Sequence, residues 1–556
     1  MKKTSLLTSM LLVAAFSTVS AKPRTTAQLL GAARQVLSST SLTKSVSSQD
    51  LKVLQSESQL TVIGYDGGAC AIIANDDQFD AVLGYTDKAI TGDPAPGFLW
   101  WLEAMNNALE GQINDGVTVK ATDAEHKYEK VEPIMTTTWN QGTPYNNLCP
   151  EYTQNGVTSR YVTGCVATAM AQIMKSHNWP EKGENNITYT YTDNVTGEIR
   201  RLTCYPKKTT YDWANMIDDY SGDYTDDQAS AVATLMQHCG YSVKMEYTTS
   251  GSGSQVYESC RSLRKYFRYQ DYTPYFYRDV MSTTEWMTLI YREIDDACPV
   301  LYAGVSSGGH CFVLDGYNSK GQVHVNWGWG GSSDGYFDIS SLGGYSSSQQ
   351  MVLMRTEDDT RITYDYRSLF GAMAAVTMNF SIDHINASAT LYNFDVDSFT
   401  GELALVANNL STGETTALTS EDLSSVVFLN GVSVSMEGKT GDLADGQYRV
   451  YFATKATKET TWQPIRTSDS YRNSYLMTKK GDGVTITAEK SNSGWMTGIS
   501  DVEINKSTDA ATTVRVYDTT GREVYSAPAA TFSMKDVPAS GLLIVKQGAE
   551  SKKVMK

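Results

Sequence analysis

From Gly308 to Trp327 the chain reads as a strand, a turn and a returning strand, and no other stretch limits the fold as strongly. Gly308-Gly309-His310-Cys311-Phe312-Val313-Leu314-Asp315-Gly316-Tyr317 supplies the outgoing strand. Asn318 to Gly321 marks the turn, and Gln322-Val323-His324-Val325-Asn326-Trp327 returns. Centring the hairpin between Asn318 and Ser319 sets His310 opposite Asn326 or Trp327. Well upstream, Thr163-Gly164-Cys165-Val166-Ala167-Thr168-Ala169-Met170-Ala171-Gln172-Ile173-Met174 has a different period. Val166, Ala169, Met170, Ile173 and Met174 fall at i, i+3, i+4, i+7 and i+8, the apolar stripe of a helix with one buried face. Thr163-Gly164 supplies its cap. Helix and antiparallel hairpin within one segment predict an α+β arrangement.

The chemistry sits at the ends of these elements. Cys165 stands in the first helical turn, where the positive end of the dipole favours a thiolate. Most free cysteines are merely buried, so the helix alone does not assign a role. A histidine beside an amide acceptor alters the balance. The Asn326 carbonyl would fix the His310 ring and its tautomer, leaving the other nitrogen for a thiol. Trp139-Asn140-Gln141-Gly142-Thr143-Pro144-Tyr145-Asn146 adds Gln141, whose amide is placed to join the Cys165 N–H around a developing oxyanion. Taken alone, that Gln is a turn residue. The remaining histidines make weaker bases. His324 reads as a surface residue two positions before Asn326, and His177 lies three turns down the helix. His126, His238 and His384 have no supporting partners in the sequence.

With 556 residues the chain is too long for one compact core, and the length suggests three or four domains. A formal net charge of −16 argues against a nucleic-acid binder, which needs a basic face. Lys2 and Lys3, the apolar run from Leu6 to Phe16, and Val19-Ser20-Ala21 form a signal peptide over 1–21. That run is too short to span a bilayer, and no later segment is long and apolar enough. A secreted or surface-held protein without a transmembrane helix is expected. The eight cysteines are irregularly spaced with no CxxC pair, so neither a metal site, a cofactor nor a disulfide framework is indicated.

Residues 22–130 read as a small α+β unit: strands at Leu51–Leu54, Gln59–Ile63 and Ala69–Ala74, then a helix from Phe98 to Ile113. The segment 131–357 is rich in Tyr, Trp and Gly and holds every motif above. Over 358–495 short alternating runs such as Gln447-Tyr448-Arg449-Val450-Tyr451-Phe452 are punctuated by Asn430-Gly431 and Asp445-Gly446, the pattern of a β-sandwich. A last segment, 496–556, carries Thr513-Val514-Arg515-Val516-Tyr517-Asp518 and ends in Lys552-Lys553-Val554-Met555-Lys556.

Three motifs in order, WNQGTPYNNLCP (139–150), TGCVATAMAQIMKSHNWP (163–180) and GGHCFVLDGYNSKGQVHVNWGWGGSSDGYFDI (308–339), resemble the streptopain-like cysteine peptidases of the papain-fold clan. The resemblance covers about 131 to 357. It implies Cys165 as nucleophile, His310 as base, Asn326 as its orienting partner, Gln141 as oxyanion donor and Trp327 as a shield over the His–Asn pair. Gly309 with Ser250 and Ser252 is implied to contact substrate. The CGSCW signature of papain itself is absent, and Thr-Gly-Cys-Val stands in its place. By the same resemblance, 22–130 is an inhibitory propeptide with a loop near Asn75 in the active site. The segment 496–556 is similar to the C-terminal sorting domain read by type IX secretion machinery. The expected partners are protein or peptide substrates, the chain's own propeptide and that machinery. A rival reading makes the chain a surface-binding, adhesin-like protein with a vestigial peptidase domain.

Overall fold

Antiparallel pairing runs unbroken through ten strands that cross two of the segments read from the sequence. The computed structural model describes residues 22–38, 51–114 and 130–489, apart from loop positions 89, 91–92, 272, 306–307, 343–346, 360–368, 382 and 482, and then 513–517, 523–528, 537, 542–547 and 550–555. The signal peptide expected over 1–21 lies outside the described residues.

The N-terminal unit comprises α1 (Thr26–Leu37), β1 (Lys52–Ser56), β2 (Leu60–Gly64), β3 (Cys70–Ala74), β4 (Val82–Thr86) and α2 (Pro96–Asn114). Strands β2 and β3 are buried along their whole length. Their two faces explain this: Ile63, Ala71 and Ile73 pack on Ala33 and Leu37 of α1, while Leu60, Val62 and Ile72 share a core with α2. Helix α1 starts in a capping box between Thr25 and Gln28, a signature the sequence carries at its outset.

The segment 131–357 contributes the hairpin β5 (Glu151–Gln154) and β6 (Val157–Arg160), α3 (Cys165–His177), and the hairpin β7 (Ile187–Thr192) and β8 (Ile199–Cys204). Then follow α4 (Asp226–Ser242), α5 (Tyr257–Tyr266), β9 (Tyr275–Tyr277), α6 (Thr283–Asp295), β10 (Val300–Val305), β11 (Gly309–Tyr317), β12 (Val323–Asn326), β13 (Gly335–Phe337) and β14 (Ser347–Leu353). Strand order is β1-β2-β3-β4-β13-β12-β11-β10-β14-β9. The N-terminal strands therefore continue the central sheet through β4 on β13, with Tyr85 opposite Tyr336. Alternation along β11 sorts its side chains: Phe312 and Leu314 meet α2 and α6, Cys311 and Val313 meet α3.

Beyond residue 368 the β-sandwich is built from β15 (Phe370–Gly371), β16 (Thr377–Phe380), β17 (His384–Asn393), β18 (Phe399–Asn409), β19 (Thr415–Val426), β20 (Gly431–Lys439), β21 (Gly446–Ala456), β22 (Gln463–Pro464), β23 (Ser474–Lys480) and β24 (Gly483–Ala488). One sheet holds β15 to β17 with β20, the other β18, β19 and β21 to β24, and Ile385, Leu391, Leu405 and Phe452 fill the space between them. Four more strands, β25 (Thr513–Tyr517), β26 (Glu523–Pro528), β27 (Leu542–Gln547) and β28 (Glu550–Met555), form a separate antiparallel sheet. Among the described residues no helix is long and apolar enough to cross a membrane.

Candidate active site

Helix α3 begins at Cys165 because Gly164 breaks the chain direction with φ 86° and ψ 143°, a conformation closed to most side chains. A Cβ on Gly164 would also meet the Met245 sulfur at 2.6 Å. No side chain caps the helix, so its first N–H groups are left for other acceptors. The Val166 N–H donates to the Cys165 sulfur, and the Cys311 N–H donates from the facing strand. The rest of the helix is held by its apolar stripe in the core on that face.

His310 leads β11 into the sulfur. Its Nε2 lies 2.9 Å from the Trp327 carbonyl oxygen, which leaves Nδ1 for the hydrogen bond it shares with Cys165. Burial disfavours charge on both groups, yet each overcomes it through the other. The Cys165 thiol is held below its ordinary range by the imidazolium, and His310 is held above its own by the thiolate. Both shifts favour the thiolate–imidazolium form, the reactive form of a cysteine nucleophile.

The expected register of the hairpin is corrected by the structure. Asn326 pairs with Val313, three residues beyond His310. The turn causes the shift, closing between Asn318 and Gln322 with Tyr317 opposite Val323. A bulge at Asp315 then moves the pairing one residue back toward His310. The Asp315 carboxylate takes His324 Nδ1 on Oδ1 at 2.6 Å and the Met135 N–H on Oδ2 at 2.9 Å. The orienting acceptor for His310 is thus the Trp327 main chain, and the Asn326 amide does not touch the ring. Asn326 instead ties the cleft together. Its Nδ2 donates to the Thr137 carbonyl at 2.7 Å, and its Oδ1 accepts from Gln172 Nε2 at 3.1 Å and the Gly328 N–H at 3.0 Å. Gly328, at φ 67°, then turns the chain so that the Trp327 carbonyl faces His310.

Asn326→Ala leaves three buried groups unpaired, at about 1–3 kcal/mol each. A lower unfolding midpoint is expected, with kcat about tenfold down because the Gly328 turn carries the His310 acceptor. Thermal unfolding and steady-state kinetics on one preparation check both. Unchanged kcat would show that the Trp327 carbonyl stays in place without the amide.

Gln141, Gly309, Ser250 and Ser252 line one cavity of about 360 Å3 with Cys165 and His310. Ser252 is buried with its hydroxyl unpartnered, whereas Ser250 is exposed and lies 3.2 Å from the Thr248 hydroxyl. Trp327 is buried beside His310, its indole N–H donating to the Ser333 carbonyl at 2.8 Å. The other described histidines take no part in this cleft. His324, expected at the surface, is buried between Asp315 and Asp87, and their carboxylates raise it to about 10 against the burial that opposes charge. His238, without a partner in the sequence reading, faces the Tyr211 hydroxyl at 2.9 Å, and burial lowers it to about 4. All eight cysteines are free thiols.

The N-terminal unit reaches the site by a route not read from the sequence. Asn75, expected in the cleft, spends its amide at home: Oδ1 accepts from Thr61 at 2.7 Å, and Nδ2 donates to the Glu57 carbonyl at 3.0 Å. The contact comes from the start of α2. Pro96 lines the cavity with Gln141 and Trp329. Gly97 lies against the His310 ring, where a Cβ would come within 2.5 Å of the Trp327 ring carbon Cε3. Also missed were Trp329 and Gln172. Gln172 had a legible signal, as the one amide in an otherwise apolar run down α3.

The Peptidase C10 family model matches residues 139–337. Streptopain of Streptococcus pyogenes is 33% identical over 300 residues, covering 52% of this chain and 75% of that protein. The thiol protease/hemagglutinin PrtT of Porphyromonas gingivalis is 33% identical over 309 residues, 51% of this chain, and the match spans only 35% of that longer protein. Among solved structures, a fragment of prointerpain A from Prevotella intermedia aligns at 35% identity over 54% of this chain and 97% of its own, with a TM-score of 0.49. At 33% identity over 300 residues and three quarters of streptopain's length, the chain belongs to the streptopain-like cysteine peptidases, the Peptidase C10 family.

Proposed function

We propose that the chain is a secreted cysteine endopeptidase made as a zymogen. The observation that carries this is the Cys165–His310 pair, a sulfur at the start of α3 sharing a hydrogen bond with an imidazole held by the Trp327 carbonyl, each group favouring charge on the other. The thiolate attacks the scissile carbonyl, and the Gln141 amide with the Cys165 N–H receives the oxyanion. His310 gives its proton to the departing amine. Water then attacks the thioester, His310 takes a proton from it, and the carboxylic acid leaves with the thiolate restored. Trp327 screens the imidazole, while Gly309, Ser250 and Ser252 border the space for substrate. Residues 22–130 are the latency domain, 1–21 the export signal, and 496–556 a sorting domain for type IX-like machinery. The adhesin-like rival loses ground because nucleophile, base, acceptor and oxyanion donor are all present around one cleft.

Alkylation by iodoacetamide after removal of the N-terminal unit tests the reading. One label per chain is expected, on Cys165, because the six other thiols that remain after Cys70 leaves with that unit are buried. The labelling rate should rise with pH at values below the ordinary thiol range. Peptide hydrolysis should follow the same limb and decline again above the ordinary imidazole range, as His310 loses its proton. Labelling spread over several cysteines, or a rate that rises only near pH 8.5, would overturn the assignment.

A further inference from the structure

The β-sandwich does not stand apart from the peptidase; it completes it. The turn between β17 and β18 carries Phe394 and Val396, and both are buried in peptidase cores. The Phe394 ring stacks on Tyr277 with centroids 5.4 Å apart and 14° between planes. Val396 joins Val256, Cys260 and Leu263 around α5. Its carbonyl accepts from Arg261 Nη2 at 2.6 Å. Beside it Asp397 makes a two-pronged ion pair with Arg264, at 2.7 and 3.1 Å. From the turn after β19, Phe428 wedges between Tyr257 and Tyr275, with ring centroids at 4.8 and 5.6 Å.

The Phe394–Tyr277 and Phe428–Tyr275 contacts fall on β9, and the others converge on α5, whose first turn walls the substrate cleft. Val256, Tyr257 and Glu258 line a branch of about 700 Å3 that also includes Cys165, His310, Val243 and Val305. Within that wall Glu258 is clamped between Lys244 at 3.1 Å and Arg261 at 3.2 Å, and the Arg261 guanidinium lies over the Tyr257 ring at 5.5 Å. Arg261 thus links the Val396 carbonyl to the cleft, and Tyr257 links Phe428 to it.

We infer that the β-sandwich is a positioning element of the peptidase site, in which Phe428 and Asp397 hold the α5 wall and so fix which substrate side chain the branch accepts. The inference rests on the peptidase reading. Neither residue touches the reacting atoms; they act through Tyr257 and Arg264. Large apolar side chains depend most on this wall, because Val256 and the Tyr257 ring are the apolar surface it offers them. Small side chains leave it unused.

The test compares the activated enzyme, trimmed of its N-terminal unit and keeping its β-sandwich, with Phe428→Ala, Phe428→Tyr and Asp397→Asn, on a peptide library varied at the positions flanking the scissile bond. Phe428→Ala and Asp397→Asn should raise KM about tenfold for peptides with a bulky apolar residue at the selective position, leaving kcat and alanine-containing peptides within about twofold. Phe428→Tyr should restore wild-type selectivity. The rate at which iodoacetamide alkylates Cys165 should stay the same in all four. Asp397 is exposed, so its variant guards against misfolding of Phe428→Ala. Unaltered selectivity, or a uniform fall in kcat across the library, would overturn the inference while leaving the peptidase standing. A wild-type enzyme that is alkylated but hydrolyses no peptide would end both.

Discussion

Cys165→Ala in the activated enzyme is expected to abolish peptide hydrolysis, a fall in kcat of about a millionfold. No other thiol can stand in. Cys311, the nearest in sequence to His310, faces the core shared with α3, and burial pushes its pKa well up. Its contribution to the site is a main-chain N–H aimed at the Cys165 sulfur, which any residue there supplies. Cys311→Ala should therefore retain most of kcat, and its cost should appear in the unfolding midpoint. Active-site titration beside progress curves for the two variants makes the comparison. Substantial hydrolysis by Cys165→Ala, or its loss in a folded Cys311→Ala, would assign the chemistry to the wrong sulfur.

The second large effect is latency. The chain beginning at Lys22 should hydrolyse peptides about a hundredfold or more slowly than a form trimmed between Val117 and Met135, because a tethered domain acts at millimolar effective concentration. The docking is extensive. Strand β4 pairs with β13, Trp101 Nε1 donates to the Asp338 carbonyl at 2.8 Å, and Gln322 Nε2 donates to the Val82 carbonyl at 2.8 Å. Asp87 meets the charged His324 at 3.3 Å. At the cleft the start of α2 restrains the His310 ring through Gly97 and narrows the cavity at Pro96. Trp100 provides an internal control, since it packs on the bare backbone of Gly304, the strand neighbour of His310. Trp100→Ala removes about 3–5 kcal/mol of packing. It should raise the activity of the untrimmed chain and leave the trimmed enzyme, which lacks residue 100, unchanged. Equal rates for trimmed and untrimmed wild type would show that 22–130 has another purpose.

How far the sequence reached can be judged at His310. The Cys165 helix was legible by its 3.6 period, and the His310 strand as a short apolar run between glycines and a turn. The acceptor on the His310 ring was not, for two reasons. The turn closes between Asn318 and Gln322, with the Asn318 side-chain oxygen taking the Lys320 and Gln322 N–H groups, and counting from a two-residue turn misplaces every later pair. And the acceptor is a main-chain carbonyl, which every residue owns, so nothing in the identity of Trp327 marks it. Asn326 looked like the acceptor because its side chain advertises an amide; that amide braces Thr137, Gln172 and Gly328 instead. In the N-terminal unit the strands and α2 form close to where the apolar runs lie. Their joining to the peptidase sheet was hidden, because Val82–Thr86 reads the same whether its neighbour is local or distant. Phe394 and Val396 were hidden likewise, looking like ordinary strand residues until a second core claims them.

A sheet shared by two units has a bearing on how such a molecule wakes. Cutting the chain after α2 severs one covalent link, but the hydrogen-bonded ladder from β1 to β9 does not register the cut. The nicked halves are then two fragments of one fold, parting at a rate set by unzipping and kept apart only by dilution. Crowded together they would remain silent; dispersed, each copy would open on its own clock. Timing then belongs to transport and distance as much as to the protease that makes the nick.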